Sequence, residues 1–244
     1  MARRRRRRQS RSDNGNILIT KLNPKSPAVE AFKLLRTNIM YASADMPIQV
    51  IGCTSSGPTE GKSSSAANLA IAMAQSGSSV LLIDSDLRRP SQHKIFGIHR
   101  RPVGLTEVLT GVKEVEECIL DTDVEGLKLL PSGAIPPNPS ELLGSRKMKE
   151  LMQKLRGAFS TIICDLPPVI SVTDALVVSP LIDGYLLIVA SGSTDRRAAQ
   201  TAKELLENAK CKILGAVLNR ADPQKSYGSY YSHYYYYYQD DSEA

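Results

Sequence analysis

"IQVIGCTSSGPTEGKSSSAANLAIAMAQSG", residues 48–77, decides the fold. A short apolar run passes through a glycine-containing loop into an alanine-rich segment that stops at Gly77. The run reads as a buried strand and the segment after the loop as a helix. A loop placed this way aims backbone N–H groups and the helix dipole at whatever lies in front of it, and phosphate suits that place.

The alternation continues outward on both sides. "SPAVEAFKLLRTNIMYAS" (26–43) reads as a helix with Pro27 at its start and Phe32, Leu35 and Ile39 on one stripe. "SVLLIDSD" (79–86), "GLKLLPSG" (126–133), "STIICDLPP" (160–168), "GYLLIVAS" (184–191) and "KILGAVLNRA" (212–221) read as strands. Helices are expected over 139–159, with Met148, Leu151, Met152 and Leu155 facing the core, and over 194–210. The strands are continuous apolar runs, so both of their faces are buried. The expected fold is α/β: a mostly parallel sheet with helices on both faces, its ligands at the carboxyl ends of the strands.

Each strand end carries chemistry. Residues 56–63 match the phosphate-loop pattern G-x-x-x-x-G-K-[ST] except that Ser56 replaces the first glycine. Lys62 is placed to reach phosphates without packing into the core, and Ser63 to hold Mg²⁺. Asp84 and Asp86 lie two apart after the second strand and share a face if the chain is extended. They read either as a metal-shell ligand and a proton acceptor, or as a helix cap and a surface acid. Asp165 closes an apolar run before two prolines and is suited to a Mg²⁺ water. Asn219, next to Arg220 after the last strand, has an amide that fits the edge of an adenine ring, or an ordinary turn.

Composition bounds the alternatives. The first twelve residues hold seven arginines and no acid, so the chain's net charge of +6 leaves −1 for the remainder. This arm reads as a solvated segment, or one that touches an anionic membrane face, a nucleic acid or an acidic partner. No apolar run approaches the ~18 residues of a membrane span, and no apolar segment follows the arginines as in a signal peptide. A cytoplasmic protein is expected. The cysteines at 53, 118, 164 and 211 read as reduced thiols, and the histidines at 93, 99 and 233 lack metal-ligand spacing.

The chain ends in "YGSYYSHYYYYYQDDSEA", which holds eight of its ten tyrosines. Phe or Leu would serve a core better, so the phenol hydroxyl is the selected feature. The expected organisation is a disordered basic arm at 1–26, a catalytic domain at 27–222 and a tyrosine tail at 223–244.

S-x-P-x-E-G-K-S, L-L-I-D-x-D-x-R-R-P and I-I-C-D-x-P-P, followed by this tail, resemble the bacterial tyrosine kinase (BY-kinase) family. The likeness is to its stand-alone cytoplasmic kind, which controls capsule and exopolysaccharide synthesis in Gram-positive bacteria. The resemblance implies a P-loop NTPase fold, ATP and Mg²⁺ as cofactors, and autophosphorylation of Tyr227, Tyr230, Tyr231, Tyr234, Tyr235, Tyr236, Tyr237 and Tyr238. It implies nucleotide contacts from Ser56, Gly57, Glu60, Gly61, Lys62, Ser63, Ser64, Asn219 and Arg220. Lys62, Asp84 and Asp86 become catalytic, with Asp84 the base, and Ser63, Asp86 and Asp165 become metal-binding.

It also implies a ring built through an E-x-x-R-x-x-R helix, matched by Glu30, Lys33 and Arg36 with a lysine in the middle. A membrane-bound adaptor of the polysaccharide co-polymerase type would activate the kinase and recruit it to the inner face of the membrane. Two rivals stand against this reading. A partition- or division-type ATPase of the same fold lacks its signature lysine here, since that position is Gly57. A nucleic-acid module would need basic and aromatic residues interleaved, whereas they lie at opposite ends of this chain.

Overall fold

The computed structural model describes residue 18 and residues 26–42 and 47–221. The basic arm, apart from Leu18 and Ser26, and the tyrosine tail lie outside the described residues.

Seven strands form one sheet: β1 (Val50–Ser55), β2 (Val80–Asp84), β3 (Leu120–Asp121), β4 (Leu127–Leu130), β5 (Thr161–Asp165), β6 (Gly184–Ala190) and β7 (Ile213–Asn219). Their order is β3-β4-β2-β5-β1-β6-β7. Every pair is parallel except β3 with β4. β1, β2 and β5 lie inside the sheet, and every residue of β1 and β2 is buried, as their unbroken apolar runs require.

Helices cover both faces. On one lie α1 (Pro27–Ala42) and α2 (Lys62–Ala74), which carry the core of Ile39, Leu69, Ile71 and Met73 against Ile51, Leu82 and Ile163. Ala66, Ala67, Ala70 and Ala74 let α2 lie close between the sheet and α1. The short α3 (Gln92–Ile95) joins the same core through Ile95. On the other face are α4 (Leu105–Thr110), α5 (Val115–Cys118), α6 (Pro139–Leu143), α7 (Arg146–Ala158), α8 (Asp174–Val177) and α9 (Arg196–Asn208). Of these, α4 to α9 bury residues in the second core.

Met148, Leu151, Met152 and Leu155 of α7 form the buried stripe expected from their spacing. The single helix expected over 139–159 is two, however. Gly144 ends α6, where a Cβ would press on Val177, and the Ser145 hydroxyl caps α7 by accepting from the Met148 N–H at 3.2 Å. The cysteines are free, with Cys53, Cys118 and Cys164 buried. Among the described residues no helix is long and apolar enough to cross a membrane.

Tyr185 shows what a tyrosine needs in this core. It is fully buried, its hydroxyl donates to the Ala175 carbonyl at 2.6 Å, and its ring leaves room only for a glycine at position 52.

Candidate active site

The parallel sheet carries the ends of β1, β2 and β5 to one edge. Register does the rest: Asp165 lies beside Asp84 on one side and beside Cys53 on the other.

The loop after β1 is held by its own side chains. The Ser56 hydroxyl donates to Glu60 Oε1 at 2.5 Å, and the N–H groups of Ser56 and Gly57 donate to the same carboxylate at 3.2 and 3.1 Å. Ser56 has no positive φ, so its position requires no glycine, and its hydroxyl gives Glu60 a third donor. Gly61 differs, with φ of +87°, and a Cβ there would run into Asn219 Nδ2. That amide donates to the Glu60 carbonyl at 2.9 Å and ties the end of β7 to the loop. The first N–H groups of α2, from Lys62 to Ser64, have no acceptor within the helix and are available to an anion.

Lys62 is enclosed rather than extended into solvent. Its Nζ donates to Asp165 Oδ1 at 2.6 Å and Asp86 Oδ2 at 3.2 Å, with Ser63 Oγ at 3.3 Å. The side chains of Lys62, Asp86 and Asp165 are 8%, 8% and 0% exposed. Burial works against the ammonium, but Asp165 and then Asp86 outweigh it and hold the Lys62 pKa above its ordinary value. The expectation that Lys62 has no packing role is corrected: it neutralises two buried carboxylates.

Asp84 shares this site but not the lysine's nearest contacts. Its Oδ2 accepts from the N–H groups of Ser91 and Gln92 at 3.0 and 2.9 Å, while the buried Oδ1 has no donor. Burial, then repulsion from Asp165, pushes its pKa up to about 8, against the pull of the Gln92 N–H and Lys62. The helix-cap alternative is thus half right for Asp84, which caps α3 from a distance. Asp86 is no surface acid, at 6% exposure.

Three further contacts were not read from the sequence. Gln92 Nε2 donates to Asp165 Oδ2 at 2.8 Å and to the Ser63 carbonyl at 3.0 Å. Arg88 grips the buried Asp174 through two bonds of 2.8 and 2.9 Å, and Ser140 joins the same carboxylate. Asp86 Oδ1 accepts from the Arg89 N–H at 2.9 Å and closes the loop after β2. Arg88 had a sequence signal in its motif, but its partners lie 52 and 86 residues away.

The hard oxygens of Ser63, Asp86 and Asp165 suit Mg²⁺, which keeps several waters and takes the rest of its shell from phosphates. Glu30 and Lys33 pair at 2.7 Å on the exposed face of α1, and Arg36 donates to the Ala72 carbonyl on α2 at 2.9 Å.

A family model for an AAA domain matches residues 48–213. Tyrosine-protein kinase YwqD of Bacillus subtilis is 42% identical over 93% of this chain and 95% of its own length. The chain belongs to the bacterial tyrosine kinase family. Among solved structures, the chimerical protein CapA2B2 superposes with a TM-score of 0.82 at 41% identity, covering 84% of this chain and 90% of that one. The kinase domain of the Escherichia coli tyrosine kinase ETK gives 0.78 at 34% identity, with 92% and 89% covered. The septum site-determining protein MinD of Pyrococcus horikoshii, solved with Mg-ADP, gives 0.60 at 25% identity over 71% of this chain and 72% of its own. The chain thus shares its fold with a protein solved with Mg-ADP, but the partition-type reading is the weaker match.

Proposed function

We propose that this kinase transfers the γ-phosphoryl group of ATP to tyrosine hydroxyls, and that its own C-terminal tyrosines are substrates. The observation that carries the proposal is the meeting of Lys62, Asp84, Asp86 and Asp165 at one sheet edge, beside the N-terminus of α2.

Lys62 stays charged and turns from Asp165 to the transferring phosphate. Ser63, Asp86 and Asp165 would hold Mg²⁺, which would supply charge neutralisation on the phosphate oxygens. Asp84 takes the tyrosine proton on Oδ1, the oxygen without a donor, while the Ser91 and Gln92 N–H groups keep Oδ2 in place. Oδ1 is the oxygen left free to receive that proton as the phenol attacks. The oxygen–phosphorus bond forms as the bond to the ADP leaving group breaks.

Tyr185 shows that a tyrosine in this core needs a partner for its hydroxyl. A run of five consecutive tyrosines, 234–238, is better suited to presenting hydroxyls than to packing. Phosphorylation adds about −1.5 to −2 charges per residue. The accumulated charge repels itself and the acidic end of the tail, and loosens a ring assembled through Glu30, Lys33 and Arg36. A membrane-bound adaptor, recruitment to the inner membrane face and control of capsular or extracellular polysaccharide synthesis complete the reading. They rest on family membership.

Intact mass and tyrosine-site mapping before and after incubation with ATP and Mg²⁺ test the core of the proposal. Phosphotyrosine should accumulate within residues 227–238, and an unchanged mass with nucleotide bound would refute it.

A further inference from the structure

Gln92 is fully buried, on a four-residue helix that no sequence motif marks. Its side-chain amide has two protons. One goes to Asp165 Oδ2 at 2.8 Å and the other to the Ser63 carbonyl at 3.0 Å. A flipped amide would set its oxygen against two acceptors, so the orientation is fixed. The backbone N–H of the same residue holds Asp84 at 2.9 Å. One residue therefore bonds the acid ending β2, the acid ending β5 and the first turn of α2.

We infer that Gln92 is a positioning residue for the metal: it keeps Asp165 aligned with the phosphate-loop helix and so sets how tightly the site takes Mg²⁺.

The two partners of Asp165 differ in chemistry. Lys62 is a cation, and a phosphate competes for it. Gln92 is neutral, and its amide protons have no charge to draw them from the carboxylate to a phosphate. When Lys62 turns away, Oδ1 of Asp165 is released while Oδ2 stays anchored, so the carboxylate presents a free oxygen in a fixed plane. A second observation points the same way. Gln92 Oε1 is buried and accepts from no protein donor. An amide kept only for packing would be better replaced by an apolar side chain, whereas an acceptor held beside Asp165 suits a metal-bound water. Glutamate at this position would face Asp165 with a second negative charge, and leucine would leave Oδ2 without its donor.

The inference takes its site from the proposed kinase reading, and the test separates the two. Full-length wild type, Gln92→Met and Gln92→Asn are compared. Methionine keeps the length without the donors. Asparagine keeps an amide one methylene short, and it guards against a methionine variant that fails to fold. Calorimetry measures binding of a non-hydrolysable ATP analogue over a Mg²⁺ series and in its absence, and thermal melting is followed in parallel. Loss of an outer-shell partner typically weakens a metal site about 10–100-fold, so the half-saturating Mg²⁺ should rise by that factor while Mg²⁺-free nucleotide affinity is unchanged. A wild-type Mg²⁺ requirement in either folded variant overturns the role. So does a fall in Mg²⁺-free affinity and melting temperature that matches the Mg²⁺ effect, because Gln92 would then only support the fold. Phosphotyrosine is scored in the wild type alongside. Its absence, with a raised Mg²⁺ requirement in the variants, counts against the kinase reading alone.

Discussion

Gly61→Ala isolates the conformation on which the phosphate loop depends. The position has φ of +87°, and an L side chain held in the left-handed region costs about 1–2 kcal/mol. The new Cβ would also collide with Asn219 Nδ2. That amide can swing aside, but only by giving up its 2.9 Å bond to the Glu60 carbonyl. Such a bond contributes about 0.5–1.5 kcal/mol. Gly61→Ala should therefore destabilise by about 2–3 kcal/mol, a fall of roughly 4–12 °C in melting temperature for a domain of this size. Asn219→Ala alone loses the bond but keeps the relaxed glycine, and should cost about 1 kcal/mol. In the double variant the bond cannot be lost twice, and the smaller residue at 219 relieves the collision. Its cost should equal that of Gly61→Ala, leaving a coupling of about 1 kcal/mol. Denaturant melts of the four proteins read the cycle, and nucleotide titration should show Gly61→Ala binding more weakly than Asn219→Ala. Strict additivity, or a Gly61→Ala protein that melts and binds like wild type, would refute the role assigned to this glycine.

Lys62→Met should abolish phosphotyrosine, and it should also lower the stability of the nucleotide-free protein, because it strands Asp86 and Asp165 without their shared cation. Breaking a buried pair costs about 3–5 kcal/mol, and urea melts of the nucleotide-free proteins check it, an unchanged midpoint counting against the role. Asp84→Asn should cut phosphoryl transfer far more than ATP binding, which single-turnover assays beside nucleotide titration would show. Reduced affinity with normal turnover of what remains bound would make Asp84 a binding residue instead. At the opposite end of the sheet, Asp183 accepts two bonds from Arg156 and one each from the N–H groups of Gln49 and Val50. Burial raises its pKa, but Arg156 and then the Val50 and Gln49 N–H groups outweigh it and hold the carboxyl below its ordinary value. Its contribution is therefore present above the unfolded-state pKa of about 3.9 and lost as pH falls through the lower folded value. Asp183→Ala should cost about 2 kcal/mol at neutral pH, less than a fully buried pair. Urea melts should show that gap closing in acid, and a gap that widens there would contradict the assignment.

How much of this was legible in sequence follows from how far apart the interacting residues lie. The strand-to-helix phosphate loop and the three motif acids could be read because each sits at the end of its own apolar run, and parallel strands share an edge. The α7 stripe could be read because its contacts repeat within the helix. The break at Gly144 could not, because what excludes a side chain there is Val177, 33 residues on. Ser56 looked like a departure from the phosphate-loop pattern until Glu60 supplied its partner. Gln92 gave no signal at all: a neutral side chain in a short helix acquires meaning only from the neighbours it meets.

The division of labour among the acids was hidden for a deeper reason. The sequence places Asp84 and Asp165 at strand ends, but not on adjacent strands. That depends on the order β2-β5-β1, which is set by pairings between residues 81 apart for β2 with β5 and 112 apart for β1 with β5. Adjacency is what makes the two carboxylates compete. Two buried acids side by side cannot both ionise freely, and Lys62 is bonded to Asp165 at 2.6 Å but not to Asp84. Lys62 is thereby committed to Asp165, while the charge of Asp165 raises the proton affinity of Asp84. Had β5 lain outside β2, with no β1 beside it, the lysine of the β1 loop could not have reached it. The two aspartates would then be alike, and the sheet order is therefore part of the chemistry.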